Sequence, residues 1–261
     1  MRLPTANDFL QETSDRLRPY AMRAYPLYVW LIVAPLMLLA TLLCGVGCLA
    51  TVPFIGPRRA GWFGVIWARL GLLLAGVRVS VEGKENILPG QSVVIVANHL
   101  SHVDIWLLYG YLPMDFRWVM KQELRHVPII GIACAKLGHV FIDRGDHADA
   151  LASLQKAKQD ITGGTSIIFF PEGTRSRDGK LHPFKKGAFH MARELNLPVQ
   201  PVTLVDTNRV LPAATFNMAC HPVRLIIHPL LVQPETETNI AIAQLQEQSH
   251  RVIASSLPPS A

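Results

Sequence analysis

Residues 92–104 read SVVIVANHLSHVD, and this stretch decides the fold. Val93, Val94, Ile95 and Val96 form a run of β-branched residues with the length and composition of a fully buried strand. In an open α/β sheet, ligands bind just beyond the carboxyl ends of such strands. His99 stands at that end, next to Asn98, and Asp104 follows five residues later. On one continuous helix these two side chains would point about 140° apart, so they meet only if a turn precedes the helix. Ser101 supplies an N-cap, the helix DIWLLYGYL then begins around His102, and Asp104 in its first turn can fold back onto the imidazole. A histidine held by a carboxylate in this way is a general base.

Two other readings compete for the same residues. Ser101-x-x-Asp104 has the form of a capping box, in which the carboxylate only reaches back to the helix start. His99, His102 and Asp104 also offer three possible metal ligands close together in the chain. A second polar cluster tips the balance toward catalysis without a metal. FPEGTRS at Phe170 to Ser176 follows another apolar β-like run, Ser166-Ile167-Ile168-Phe169, so two strand ends carry polar groups.

The two blocks together resemble the glycerol-3-phosphate and lysophosphatidic acid acyltransferases, whose mark is a His-x4-Asp block followed by an E-G-T-R-S block. Both are intact here, and the resemblance covers Val79 to Val205. It implies transfer of an acyl group from a thioester, on coenzyme A or a carrier protein, to a hydroxyl of a lysophosphatidic acid, giving phosphatidic acid. It implies no cofactor. His99 and Asp104 match the catalytic pair. Arg144 matches the Arg of the family's second block, and Glu172, Gly173, Thr174 and Arg175 match the third, with Glu172 expected to hold an Arg or a substrate hydroxyl. Lys121 resembles a further basic position near the phosphate, and Pro198 and Pro201 match a structural block. Another lysolipid, such as a lyso-ornithine lipid or a lysophospholipid, is the alternative acceptor, and a non-catalytic binder of anionic lipid is the reading from a different class.

The residue types suit that chemistry. An alcohol is a poor nucleophile until a base takes its proton, and a neutral imidazole oriented by a carboxylate does so near neutral pH. No G-x-S-x-G elbow is present, so direct transfer without an acyl-enzyme is expected. Backbone N–H groups near Gly173 or in the Ser101 turn are the candidate donors to the developing oxyanion. Arg144 and Arg175, each after a strand end, are candidates for the acceptor phosphate, because the guanidinium fork matches two phosphate oxygens.

Of 261 residues, 50% are hydrophobic and 17% charged, with a formal net charge of +6. That fits one catalytic domain with a membrane anchor, and a basic surface attracted to anionic phospholipid rather than nucleic acid. The expected divisions are an interfacial segment at 1–25, a hydrophobic membrane segment at 26–57, an amphipathic interfacial segment at 58–78, the catalytic domain at 79–257 and a tail at 258–261. From Ala24 to Pro57 no residue is charged. An unbroken helix over Tyr25 to Ile55 would be about 45 Å long against a hydrocarbon core of roughly 30 Å. Pro35, Gly45, Gly47 and Pro53 are places where it could bend. Arg16, Arg18 and Arg23 precede the segment and Arg58 and Arg59 follow it, so the flanks favour no orientation and suit a hairpin. Met1 and the catalytic domain would then share the cytoplasmic face of the membrane, with a single tilted span as the alternative. Gly45-Val-Gly47 mimics a dinucleotide pattern but has no strand before it, so it is read as helix packing. The cysteines at 44, 48, 134 and 220 form no C-x-x-C pair and are expected as free thiols in a reducing cytosol.

Strands are also expected at Val77–Val81, Phe116–Met120, His139–Asp143, Val199–Val205 and Val223–Val232, with Pro229 marking an edge or a break in the last. Helical spacing runs through Asp146–Thr162, Ala188–Leu195 and Thr236–Leu257. The expected fold is therefore α/β, with a mixed, largely parallel sheet of about seven strands flanked by helices and an N-terminal helical anchor.

Overall fold

The computed structural model describes residues 24–143 and 147–258. Its strands are β1 (Val79–Glu82), β2 (Val94–Ala97), β3 (Asp115–Lys121), β4 (Val140–Ile142), β5 (Thr165–Phe169), β6 (Val199–Val205) and β7 (Val223–Ile227). They form one seven-stranded sheet in the order β1-β7-β6-β2-β5-β3-β4. The run β6-β2-β5-β3-β4 is parallel, while β7 lies antiparallel to β6 and carries β1 parallel to itself. This is the mixed, largely parallel sheet that the apolar runs require. The last strand stops at Ile227, short of Pro229, and Leu231 makes only an isolated antiparallel bridge to Val199. Proline has no N–H to give a ladder.

The apolar run of β2 is continuous because both of its faces are covered. Ile95 and Ala97 join one buried cluster with Leu107 and Leu108 of α3 (Val103–Tyr111), Trp118 and Leu204. Val94 and Val96 join the opposite cluster with Phe189 of α6 (Gly187–Glu194) and Ile242 and Leu245 of α7 (Thr238–Ser255). The other helices of seven or more residues are α1 (Ala24–Ala60), α2 (Trp62–Leu74), α4 (Ile130–Lys136) and α5 (His147–Ala157). Because Val96 pairs with Phe169 and with Pro201, the chain leaves β2 toward His99 and β5 toward Glu172 side by side.

α1 is 37 residues long with a mean hydropathy of 2.5 over its most apolar stretch, long and apolar enough to cross a membrane. The chain reverses inside the expected segment 26–57, but not at Pro35, Gly45, Gly47 or Pro53. A π-helical turn at Val29–Val33 precedes Pro35 and accommodates the hydrogen bond that its missing N–H cannot make. The helix then continues through Gly45, Gly47 and Pro53, and the reversal falls at Gly56, whose φ of 78° no other residue adopts cheaply. α2 is the return arm. Trp67 Nε1 donates to Thr41 Oγ1 at 2.9 Å, and the Tyr28 and Tyr25 hydroxyls donate at 2.8 Å to the carbonyls of Leu74 and Ala75. The glycines serve packing: a Cβ on Gly47 would lie 2.6 Å from Phe63, and one on Gly45 would lie 2.5 Å from Ile129.

The segment read as interfacial at 58–78 is thus mostly the second arm of a helical hairpin that packs on the catalytic domain. Val33 and Met37 bury against Trp67, Trp106 and Met218, and Cys48 and Val52 against Ala133 and Leu137. At the far end Arg58 Nε is 3.9 Å from Asp115 Oδ2. The other face of α1 leaves Leu31, Leu38, Leu43 and Phe54 exposed. Most of the expected 1–25 segment lies outside the described residues. All four cysteines are free.

Candidate active site

The turn between β2 and α3 carries the histidine. His99 Nδ1 lies 2.8 Å from Asp104 Oδ2. The same oxygen accepts the backbone N–H groups of Leu100 at 2.7 Å and Ser101 at 2.8 Å. A carboxylate oxygen only accepts, so Nδ1 carries the ring hydrogen and Nε2 presents its lone pair. The Ser101 hydroxyl completes the turn by accepting the Val103 N–H at 3.1 Å and donating to the Leu211 carbonyl at 2.7 Å. Capping of the helix start and orientation of the His99 ring are therefore one arrangement, not alternatives. Asp104 is fully buried, whereas the His99 side chain keeps 16% of its surface accessible.

Neighbouring elements fix the backbone of His99 from both sides. Its N–H donates to Glu172 Oε1 at 2.7 Å, and its carbonyl accepts the Ser176 N–H at 2.8 Å. Glu172 Oε2 takes the N–H of His182 at 3.0 Å. The expectation that Glu172 holds an Arg or a substrate hydroxyl is corrected here: the carboxylate is buried and both oxygens serve backbone amides, tying the third block to the histidine turn. Burial raises the pKa of Glu172, and the two amide bonds oppose that rise. The His99 ring stacks on Phe170, with centroids 3.8 Å apart and planes 11° from parallel.

In the two regions nominated for oxyanion donors, the amides of Gly173 and Ser101 themselves are already engaged. Gly173 N–H donates to the Phe170 carbonyl at 3.0 Å, and Ser101 N–H serves Asp104. Gly173 is required for another reason: its φ is 80°, and a Cβ there would lie 2.8 Å from Lys185 Nζ. Asn98 was passed over as a site residue. Its side-chain amide exchanges two 2.8 Å bonds with the backbone of Leu204, locking the end of β2 to β6 immediately before His99. An Asn directly after the apolar run and before His99 is the signal that the sequence carries.

Two cavities share Arg175, and one of them borders His99. The apolar one, ≈ 480 Å³, is lined by His99, Phe170 and Trp118 and closed by Cys44 and Cys48 of α1 and Phe63 and Trp67 of α2. The polar one, ≈ 580 Å³, is lined by Thr174, Arg175, Arg177, Asp178, His182, Ala213 and Ala214. Arg175 also stands near His102, whose pKa is lowered first by the partial loss of water around its ring and then by Arg175 and His99, against the pull of Asp104. Lys121 sits on the lip of the apolar cavity and pairs with Glu123 at 2.6 Å. Arg144 lies outside the described residues. Among those described, no three His, Cys, Asp or Glu side chains gather as a metal site would.

Residues 78–205, which span the chain from β1 to β6 and include the His99 turn, match the Acyltransferase family model, so the chain carries an acyltransferase domain. The chain is 36% identical over 184 residues to a 1-acyl-sn-glycerol-3-phosphate acyltransferase of Chlamydomonas reinhardtii, covering 70% of this chain and 54% of that protein. It is 31% identical over 209 residues to a 1-acyl-sn-glycerol-3-phosphate acyltransferase of Limnanthes douglasii, covering 80% of this chain and 73% of that one. The chain belongs to the 1-acyl-sn-glycerol-3-phosphate acyltransferase family. It spans about half the length of its algal and chloroplast relatives. In fold it matches the crystal structure of the 1-acyl-sn-glycerophosphate acyltransferase PlsC from Thermotoga maritima, with a TM-score of 0.65, 24% identity and coverage of 92% of this chain and 96% of that one.

Proposed function

We propose that this protein transfers a fatty acyl group from a coenzyme A or carrier-protein thioester to the hydroxyl of lysophosphatidic acid at the cytoplasmic face of a membrane, forming phosphatidic acid. One observation carries the reading: His99 has Nδ1 committed to Asp104 and its ring lining the cavity that it shares with Arg175. The donor's acyl chain lies in the apolar cavity, with the thioester carbon at His99. Nε2 takes the proton of the acceptor hydroxyl as its oxygen attacks that carbon, and Asp104 stabilises the imidazolium that forms. The C–O bond forms, the C–S bond breaks, and the leaving thiolate receives the proton from His99, so no acyl-enzyme is needed. Arg175, which faces the polar cavity as well, holds the acceptor phosphate together with Arg144. Lys121 adds positive charge at the cavity lip. Glu172, Gly173 and Thr174 shape the loop that carries Arg175. α1 and α2 hold the site against the lipid in which the acceptor resides.

The test is transfer by the purified full chain in phospholipid vesicles, supplied with lysophosphatidic acid and both donor types. Wild type is expected to form phosphatidic acid, and His99→Ala to lose at least about 10²–10⁴-fold in rate while keeping its fold and vesicle binding. Activity of His99→Ala within a few-fold of wild type would overturn the mechanism.

A further inference from the structure

Residues 210–223 contain no Asp, Glu, Lys or Arg, although much of this stretch is a surface loop. Its base is pinned at both ends: Ala219 N–H donates to the Val210 carbonyl at 2.7 Å, and the Leu211 carbonyl accepts the Ser101 hydroxyl at 2.7 Å. Leu211 and Met218 tuck against the main core. Phe216, at the tip, is 78% exposed, and its only ring contact among the described residues is Trp30 of α1, at 6.2 Å. Trp30 is itself 57% exposed. The loop tip therefore extends the apolar exposed face of α1 across to the far side of the site. Arg78 and Arg209 stand exposed beside its two ends, the second paired with Asp206 at 3.2 Å. Uncharged loop, aromatic tip and flanking arginines together suit an anionic bilayer surface.

The same loop forms one wall of the polar cavity, through Ala213 and Ala214, opposite Thr174, Arg175 and Arg177. We infer that the loop from Pro212 to Met218 inserts Phe216 into the bilayer face on which α1 rests, making a second membrane contact. The polar cavity then opens at the lipid–water boundary, and a phosphate-bearing lysolipid moves sideways out of the bilayer between Ala213 and Arg177 to reach His99. This rests on the proposed acyl transfer for its substrate, but the insertion itself does not.

Two measurements on the full chain separate the two claims. Phe216→Cys in a Cys220→Ser background, labelled with an environment-sensitive fluorophore, is expected to be quenched by brominated lipids when the protein is bound to anionic phospholipid vesicles. A label that stays water-like and unquenched on vesicle-bound protein overturns the insertion, as does a Phe216-dependent dimer in which the label is shielded by a second copy. Phe216→Asp is expected to raise KM for vesicle-embedded long-chain lysophosphatidic acid by roughly ten-fold, the effect of withdrawing one Phe side chain from an apolar phase, and to leave KM for a short-chain, monomeric lysophosphatidic acid unchanged. Equal KM values for both substrates in variant and wild type overturn the lateral route. Absence of any transfer by wild type would instead refute the proposed activity, with the quenching result still standing on its own.

Discussion

Asp104 Oδ2 meets His99 Nδ1 at 2.8 Å while it also closes the turn by accepting the Leu100 and Ser101 amides. One oxygen therefore orients the His99 ring and builds the loop that carries it. In Asp104→Asn an amide oxygen can still take the two backbone donors, but it no longer offers a carboxylate to a developing imidazolium. Turnover is expected to fall about 10²–10⁴-fold with only a small loss of thermal stability. Asp104→Ala strands buried donors and is expected to cost about 1–3 kcal/mol or more as well. Melting curves and turnover measured on both variants check this; an Asn variant with near-normal turnover and a lowered melting temperature would leave Asp104 a capping residue only.

Arg175 lines both cavities, and in the proposed reaction it is the side chain that distinguishes acceptor from donor affinity. Arg175→Ala is expected to raise KM for lysophosphatidic acid by at least about ten-fold, as loss of a charge-assisted bond implies, with KM for the acyl thioester changed much less. Arg144→Ala should show the same split. Steady-state kinetics with each substrate varied in turn decide it, and a rise confined to the thioester would move the phosphate elsewhere.

The sheet and the His99–Asp104 contact were legible because each rests on local chemistry. A buried parallel strand must be a continuous apolar run, as Val94 to Ala97 is, and a turn followed by a capped helix is what brings Asp104 back to His99. The role of Glu172 was not legible, since its partners are backbone amides of residues 73 positions before it and ten after it, and no side-chain pattern announces them. The hairpin turn was misplaced for a related reason. Pro35 and Pro53 look like breaks in isolation, yet a long apolar helix packed on α2 tolerates them, and the reversal waits for the positive φ of Gly56. The second cavity depends on Ala213 and Ala214, small residues in a featureless stretch whose position is set by the distant bond from Ser101 to Leu211.

His139 supplies a stability test at acid pH. It is buried where Trp118 N–H reaches its Nδ1 at 3.4 Å, and burial first, then the Arg117 guanidinium, push its pKa down to about 3 against the pull of Asp115. Between that value and the ordinary histidine pKa, the unfolded chain binds a proton that the folded chain refuses, so stability is present above the ordinary value and is lost as pH falls. From pH 7 to pH 5 this one residue is expected to remove about 2 kcal/mol. His139→Gln, which keeps an acceptor for Trp118, should melt at temperatures that depend less on pH over that interval. Identical pH dependence in variant and wild type would show that His139 does not set it.

The geometry of α1 leads to a prediction about the membrane. At 1.5 Å per residue, the part of α1 that precedes the reversal at Gly56 extends about 48 Å. Near its start the Tyr25 hydroxyl holds the Ala75 carbonyl at 2.8 Å, and near its end Arg58 lies 3.9 Å from Asp115 of β3. A helix fastened at both ends to one folded domain cannot put those ends on opposite sides of a bilayer. α1 is therefore expected to lie along the membrane plane, with Leu31, Leu38 and Leu43, which are 72%, 64% and 63% exposed, among the acyl chains of one leaflet. Leu27 and Phe54, 64% and 87% exposed, sit toward its two ends and report the topology. In a Cys220→Ser background, Leu27→Cys and Phe54→Cys are each expected to escape a membrane-impermeant maleimide added outside intact cells, and each to react once the protein is solubilised in detergent. Labelling of one position from outside with the other protected would establish a transmembrane span and would require the contacts of Tyr25 or Arg58 with the catalytic domain to break in the membrane.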